Sequence, residues 1–478
     1  MKLFFIPIKQ PLWQYIGLSM VLFLLFACSN MQMPKTDSNN LDNASKQEKD
    51  STQIAAAQKY PAPQELKLLH RQMLDTLSLQ GNRIESVVVD EITNIPYRTF
   101  VNIHEKRDKD GAFIYGSATF ESGIILPNGK RMEFGNKYHE MVLSIHNNII
   151  STQMSNIVSE SDGYVVLKRY RFDNNKLHLI ASKQIDHPEI EFMPIKHNQN
   201  TLLCGQGVAG GFVFELYSPS LKLISAYVPF EGGFEQAVYA QTDSTIVIAA
   251  NPTDTLKHSI KVAVLNANTG KIIKESEIKR NDFNVVAIYP FKDMAVIYGH
   301  IHSKNPQSRL LGINYDGQIL WENALTLPIA FKGIGCSANE LTQKLFAYTS
   351  RAFEQKDPEG RFTYIDMLFG TIKWEKIRTD IYPFNLFPFK YNMDCIRPVF
   401  FCQYKNNFVL LLGQIQEIAN RPETGIYRRN YLCIFDENGN ITYASDKIKD
   451  DSMFQAAINN NQLTIYTETQ IYNYELPK

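Results

Sequence analysis

The stretch Leu310-Leu-Gly-Ile-Asn-Tyr-Asp-Gly-Gln-Ile-Leu-Trp321 decides the fold. An apolar strand runs into Asp316-Gly317, and a second apolar strand leaves it at once. Asp-Gly supplies the positive φ that a tight hairpin requires. The same strand–turn–strand unit recurs at 123–134, 165–180, 212–224, 262–273, 364–374 and 431–443. With Gly129, Asn175, Ser220, Gly270, Gly317, Gly370 and Gly439 as turn markers, the steps are 46, 45, 50, 47, 53 and 69 residues. Five of the six match the length of a four-stranded propeller blade. Further strand-like runs, Thr245–Ala250, Met294–Tyr298 and Phe408–Leu412, precede the markers where inner strands of a blade belong. The long last step places an insertion around Pro383 to Pro398.

The pattern predicts an all-β chain forming a single β-propeller of about seven four-stranded blades, with six or eight still compatible. Two β-sandwich domains are the rival architecture; a β-helix would need shorter repeats. Ring closure is expected from the ends of the chain. Gln462–Tyr466 and Gln470–Glu475 have no hairpin after them, and Ile84–Asp90 is the expected source of the missing outer strand. Leu66, Leu69, Met73 and Leu77 lie at helical spacing after Pro63, which predicts a short helix within 61–83. The propeller is expected over 84–478.

Composition agrees with a β-rich body. Of 478 residues, 44% are hydrophobic and 12% aromatic, so bulk disorder is excluded. The 49 basic residues equal the 49 acidic ones, which argues against a nucleic-acid partner.

The N-terminus gives an address. Lys2 and Lys9 precede an apolar stretch, Ile16 to Ala27, that ends Leu25-Phe26-Ala27-Cys28. A short positive segment before an apolar core of this length is a secretory signal, too short to count on as a membrane-spanning helix. Ala27 directly before Cys28, with Leu25 three residues upstream, resembles the lipobox of bacterial lipoproteins; Phe26 is bulkier than that motif usually carries. The resemblance implies cleavage after residue 27 and lipidation at Cys28. Residues 28–60 read as a polar tether. Ser29 after the cysteine resembles outer-membrane sorting in enteric bacteria, leaving open which face of that membrane is occupied. Loss of Lys2 and Lys9 with residues 1–27 leaves 47 basic against 49 acidic residues, so the mature chain remains near neutral. Anchor and repeats together resemble the β-propeller lipoproteins of Gram-negative bacteria.

Five further cysteines, Cys204, Cys336, Cys395, Cys402 and Cys433, form no CxxC pair. Zinc-ribbon and thioredoxin-type chemistry is therefore not expected. Cys395 with Cys402 is the pair to test for a disulfide.

The chemical motifs are weak. Gly205-Gln-Gly207-Val-Ala-Gly210 fits GxGxxG, but Phe212-Val-Phe-Glu-Leu-Tyr reads as a strand where a dinucleotide site needs a helix. His300 and His302 share one face of a strand and are the weak metal candidates, without an identifiable third ligand. Asp108-Lys-Asp110-Gly111 lacks the remaining ligands of a calcium loop. Phe230-Glu231-Gly-Gly-Phe234-Glu235 is a candidate sugar-binding wall, and the aromatic run Pro383–Pro398 a candidate interface. No cofactor is expected, and the catalytic residues are unknown. The expectation is a lipid-anchored envelope module holding a protein or peptide partner, with a glycan as a further option. The alternative is a carbohydrate-active or other hydrolytic enzyme with carboxylates on the central face.

Overall fold

The fold follows from strands that are buried on both faces. Thr245–Pro252 and Ser259–Asn266 are almost continuously buried, whereas Ile272–Lys279, next in sequence, alternates and is mostly exposed. A strand sandwiched between two neighbouring sheets reads as an unbroken apolar run, while a peripheral one does not. The computed structural model describes residues 63–73 and most of 83–477. Residues 1–62 and several connections, among them 326–335, 350–360 and 378–393, lie outside it.

The described residues form eight antiparallel four-stranded sheets, one with an added fifth strand. They span 83–133, 140–185, 190–227, 234–279, 283–324, 336–377, 394–444 and 453–475, here blades 1 to 8. We call the strands of each blade A to D in chain order. The A strands of neighbouring blades approach one another, and the A strand of blade 8, Met453–Asn459, meets that of blade 1, Arg83–Val89. The A strands therefore surround the axis, the D strands form the rim, and the ring is closed. This is a β-propeller of eight blades.

The count of seven falls one short for a visible reason. All seven turn markers sit at the C–D hairpin of blades 1 to 7. Gly129, Gly270, Gly317, Gly370 and Gly439 have φ of 62–83°, and in blade 3 the place is taken by Leu221 at 58°. In the Gly317 turn, Gly317 N–H donates to the Asn314 carbonyl (3.1 Å), and Asn314 Oδ1 accepts from Gln318 N–H (2.9 Å). Blade 8 has no such hairpin because its D strand arrives from the start of the chain. Leu68–Met73 pairs antiparallel with Gln470–Glu475, Leu68 opposite Tyr474 and Met73 opposite Gln470.

That pairing corrects two expectations. Residues 61–83 hold no helix among those described: Gln64–Glu65 and Leu68–Met73 are strands. The open edge of blade 8 and an inter-blade pocket for Leu66 (3% exposed) override helical spacing. Ile84–Asp90 is also not the closing strand; it lies almost entirely within the A strand of blade 1. The long step before Gly439 reflects long strands in blade 7, Asn407–Ile418 and Arg421–Phe435, as well as the connection 378–393.

Each of blades 1 to 7 also reaches its successor through a polar bond. Asp90 in blade 1 accepts the Asn147 and Asn148 N–H groups of blade 2 (3.2 and 3.1 Å). Arg169 of blade 2, fully buried, donates to Gln199 O and Thr201 Oγ1 of blade 3 (2.6 and 2.7 Å), and its burial pulls the guanidinium pKa down to about 10. Asn200 Nδ2 donates to Ala267 O (3.1 Å), and Asn251 takes Val285 N–H at 2.8 Å while donating to Phe283 O at 3.0 Å. Trp321 Nε1 reaches Met367 O (3.1 Å), and Trp374 Nε1 reaches Glu437 O (2.7 Å). Tyr404 Oη donates to Asn461 Oδ1, joining blade 7 to blade 8. The two tryptophans also lie flat against Gly370 and Gly439, where a Cβ would clash.

Candidate functional site

Antiparallel connectivity sorts the connections between two faces. A–B and C–D turns leave one face, and B–C and D–A connections leave the other. On the first face every connection between described strands is short, from the pairs 147–148 and 405–406 up to 90–95 and 195–200. The second face takes 105–118, 325–335, 350–360 and 378–393. A rigid ring that gathers its long connections on one side has the layout of a recognition surface.

Where the chemical motifs singled out in the sequence have described residues, those lie toward this loop face. Gly205 and Gln206 end the B strand of blade 3, and Phe212 pairs with Gln206 in the next strand, so GxGxxG is a β-connection and not a dinucleotide fingerprint. His300 lies near the end of the blade 5 B strand; its Nδ1 sits 3.2 Å from Ser308 Oγ and its ring packs edge-on against Tyr298. His302 lies outside the described residues, as does most of Asp108–Gly111. Among the described residues no three His, Cys, Asp or Glu side chains gather as a metal ion would require.

Phe234 is not part of an exposed sugar-binding wall. It is 4% exposed and stacks on Phe214 (5.5 Å between centroids) in the core between blades 3 and 4. Phe230 is half-buried under Lys261. The side chains of 383–398 lie outside the described residues; its last residues begin the A strand of blade 7, Asp394–Tyr404.

That strand also settles the cysteine pair. Cys395 and Cys402 lie seven positions apart along one extended strand, opposite Ile415 and Val409. At ~3.3 Å per residue they stand far beyond disulfide reach, even with the bulge after Pro398. Neither Cys204 nor Cys433 is in a disulfide, and burial pushes the Cys433 thiol well up.

The described polar groups on the loop face include two clusters. Between blades 4 and 5, Arg280 pairs with Asp282 (2.8 Å) and Glu322 (2.7 Å), and Arg309 joins them 3.2 Å from Glu322. The second cluster is at blade 1. Glu121 accepts from Arg131 (2.7 Å) and Asn102 (3.4 Å) and lies 3.3 Å from His104 Nε2. Arg131, then Asn102, hold the Glu121 carboxyl below its ordinary range. Nearer the axis, His139 Nε2 approaches Glu85 Oε1 at 2.7 Å, with the Phe120 ring packed on the imidazole. These residues come from five different strands or their flanks. No sequence spacing joins them, which is why the motif search passed over them.

Of the A-strand carboxylates whose side chains are described, Glu85 is engaged by His139. Glu140 is fully buried, bonded to Lys168 Nζ (2.9 Å) and Thr152 Oγ1. Both are already committed to partners within the ring, as a structural ion pair would be.

No family model matches the chain, and no curated protein matches it. Among solved structures it is similar to a structure described as the Dos1 propeller (TM-score 0.45, 8% identity, covering 86% of this chain and 95% of that one). It is also similar to a eukaryotic initiation factor (TM-score 0.43, 8% identity, 77% and 78%). BBS1N, solved in complex with ARL6DN, aligns at TM-score 0.33 and 10% identity over 69% of this chain and 89% of that one.

Proposed function

We propose that the chain is a lipid-anchored envelope propeller whose loop face holds a protein or peptide partner. The observation that carries the binding reading is the segregation of the long connections 105–118, 325–335, 350–360 and 378–393 onto one face of a closed ring. The anchor reading rests on Leu25-Phe26-Ala27-Cys28 and the polar residues after it. A membrane lipid on the Cys28 thiol, in the bacterial outer membrane, then keeps the ring at the envelope.

Two measurements test the two halves. Cells fed an alkyne fatty acid should label the wild-type protein and not Cys28→Ala; equal labelling defeats the anchor. A photo-crosslinking residue at position 384, inside 378–393, should trap a discrete protein adduct in intact cells, while the same residue at Thr93 on the opposite face should not. Adducts of equal yield at both positions would sink the assignment to the loop face.

A further inference from the structure

The face of short turns carries its own signal. Among the described residues 17 large apolar side chains are exposed, and all but Met141 and Val228 lie in the half of the ring nearest the short turns. Scattered apolar exposure is ordinary on any surface, but part of this exposure repeats from blade to blade. Leu223-Ile224, Ile272-Ile273 and Ile319-Leu320 each occupy the second and third positions after the positive-φ residue of the C–D turn, namely Leu221, Gly270 and Gly317. Equivalent positions in equivalent hairpins lie at one height around the rim, so the three pairs share a plane. In blade 6 the turn itself projects Phe369, 65% exposed.

None of these pairs is needed to hold the ring. The D strands are peripheral, and the inter-blade cores are filled mainly from the A, B and C strands, with Ile278 and Tyr227 the D-strand residues among them. Exposed charges of both signs accompany the pairs: Lys222 and Lys271 immediately precede two of them, Lys292 and Asp293 lie on an A–B turn of the same face, and Asp316 and Glu437 on its C–D turns. A repeated set of shallow apolar groups among charges of both signs fits a flat partner that is apolar at depth and charged at its surface.

The chain also enters the ring from this side. Gln64–Glu65 runs parallel to the D strand of blade 7, Gln64 opposite Tyr443 and Glu65 opposite Ala444. At Gln64 the chain therefore enters from the side of the turn 436–440, on the short-turn face. Cys28 stands 36 positions upstream of Gln64.

We infer that the short-turn face rests on the headgroup layer of a lipid bilayer, its apolar pairs at the acyl boundary, so that the loop face points away from the membrane. The inference extends the lipid-anchor reading by assigning the orientation of the anchored ring. Its test uses the full-length protein on vesicles of phosphatidylethanolamine and phosphatidylglycerol with brominated acyl chains. Phe369→Trp on the short-turn face and Val228→Trp on the loop face report depth through quenching, each relative to the parent protein. Emission from Phe369→Trp should fall about twofold, as expected for a side chain held within ~5–10 Å of the acyl boundary, while Val228→Trp should not change. Adding Leu223→Asp, Ile272→Asp and Ile319→Asp at these exposed positions should abolish the quenching without altering the β-sheet circular dichroism. Equal quenching at both reporters, or none at Phe369→Trp while the protein stays on the vesicles, overturns the inference and leaves the anchor standing. The two readings fail separately: equal fatty-acid labelling of the wild-type protein and Cys28→Ala, with intact quenching at Phe369→Trp, removes the anchor and keeps the face. A second protein covering the apolar pairs in place of lipid would appear as absent quenching and so count against the proposal.

Discussion

Blade 4 and blade 8 present the same four-stranded sheet reached by opposite routes. Blade 4 is contiguous over 234–279, and its Gly270 turn is held against Ser225 of the preceding blade. Local hairpins of this kind close at small entropic cost. Blade 8 takes three strands from 453–475 and its fourth from Leu68–Met73, so its last pairing joins the two ends of the chain. Such a contact pays nearly the full loop-closure entropy of the ring, and it removes the two bare edges that would remain. The contiguous blades are thus stable by local pairing and the ring is stable by one distant pairing. Damage to the second should spread further than equal damage to the first.

Deleting residues 63–73 from the full chain should have the largest effect. It strips the D strand from blade 8, the fifth strand from blade 7, and Leu66 from the core they share. Thermal melting is expected to lose its single transition and size-exclusion chromatography to show aggregates. An unchanged melting curve would show that closure contributes nothing. Leu66→Ala is the milder form: removal of a buried leucine should cost about 2–5 kcal/mol by denaturant titration, and more than the same change at Leu265 in the core of blade 4. Equal costs would erase the distinction between the two blades.

Asp90 sharpens the comparison at a third place, the junction of blades 1 and 2. Burial disfavours its ionised form, yet the N–H groups of Thr93, Asn148, Ile92 and Asn147 outweigh that and hold the pKa below its usual value. A folded-state pKa below the unfolded one gives stability that is complete above the unfolded value, near ~3.9, and fades as pH falls through the folded value. Asp90→Asn should therefore cost about 1.5–3 kcal/mol near neutral pH. The gap to wild type should narrow in acid below about pH 4. A gap that stays constant with pH would exclude the carboxylate as the clasp.

The sequence carried the repeat because the C–D turn needs positive φ, and Gly317, Gly370 and Gly439 mark it openly. Blade 3 shows the limit: Leu221 adopts φ of 58° there, and only Ser220 beside it reads as a turn residue. The closing strand was illegible because the spacing of Leu66, Leu69 and Met73 serves a helix as well as two short strands. The choice between them lies in Tyr474 and Gln470, some 400 positions away. The loop-face cluster of Glu85, His104, Glu121 and His139 was hidden for the same reason, since strand pairing alone assembles it. The apolar pairs of the rim stood in plain view at Ile272-Ile273 and Ile319-Leu320. A strand pattern by itself does not say which strand ends up outermost.

The smallest effect is expected where the closure looks most explicit. Lys67 Nζ and Glu475 Oε2 are 2.6 Å apart across the joint between the chain ends, but their side chains are 70% and 39% exposed. An ion pair in that setting is worth about 0–1 kcal/mol and is screened by salt. Beneath it, Glu475 N–H donates to the Lys67 carbonyl at 3.0 Å, a bond that any side chain at position 67 leaves intact. Lys67→Ala should therefore shift the denaturation midpoint by less than Leu66→Ala, one residue away, and the shift should vanish in about 1 M salt, where the screening length is only ~3 Å. A loss as large as that of Leu66→Ala, persisting in high salt, would mean that charge and not buried apolar surface fastens the ring.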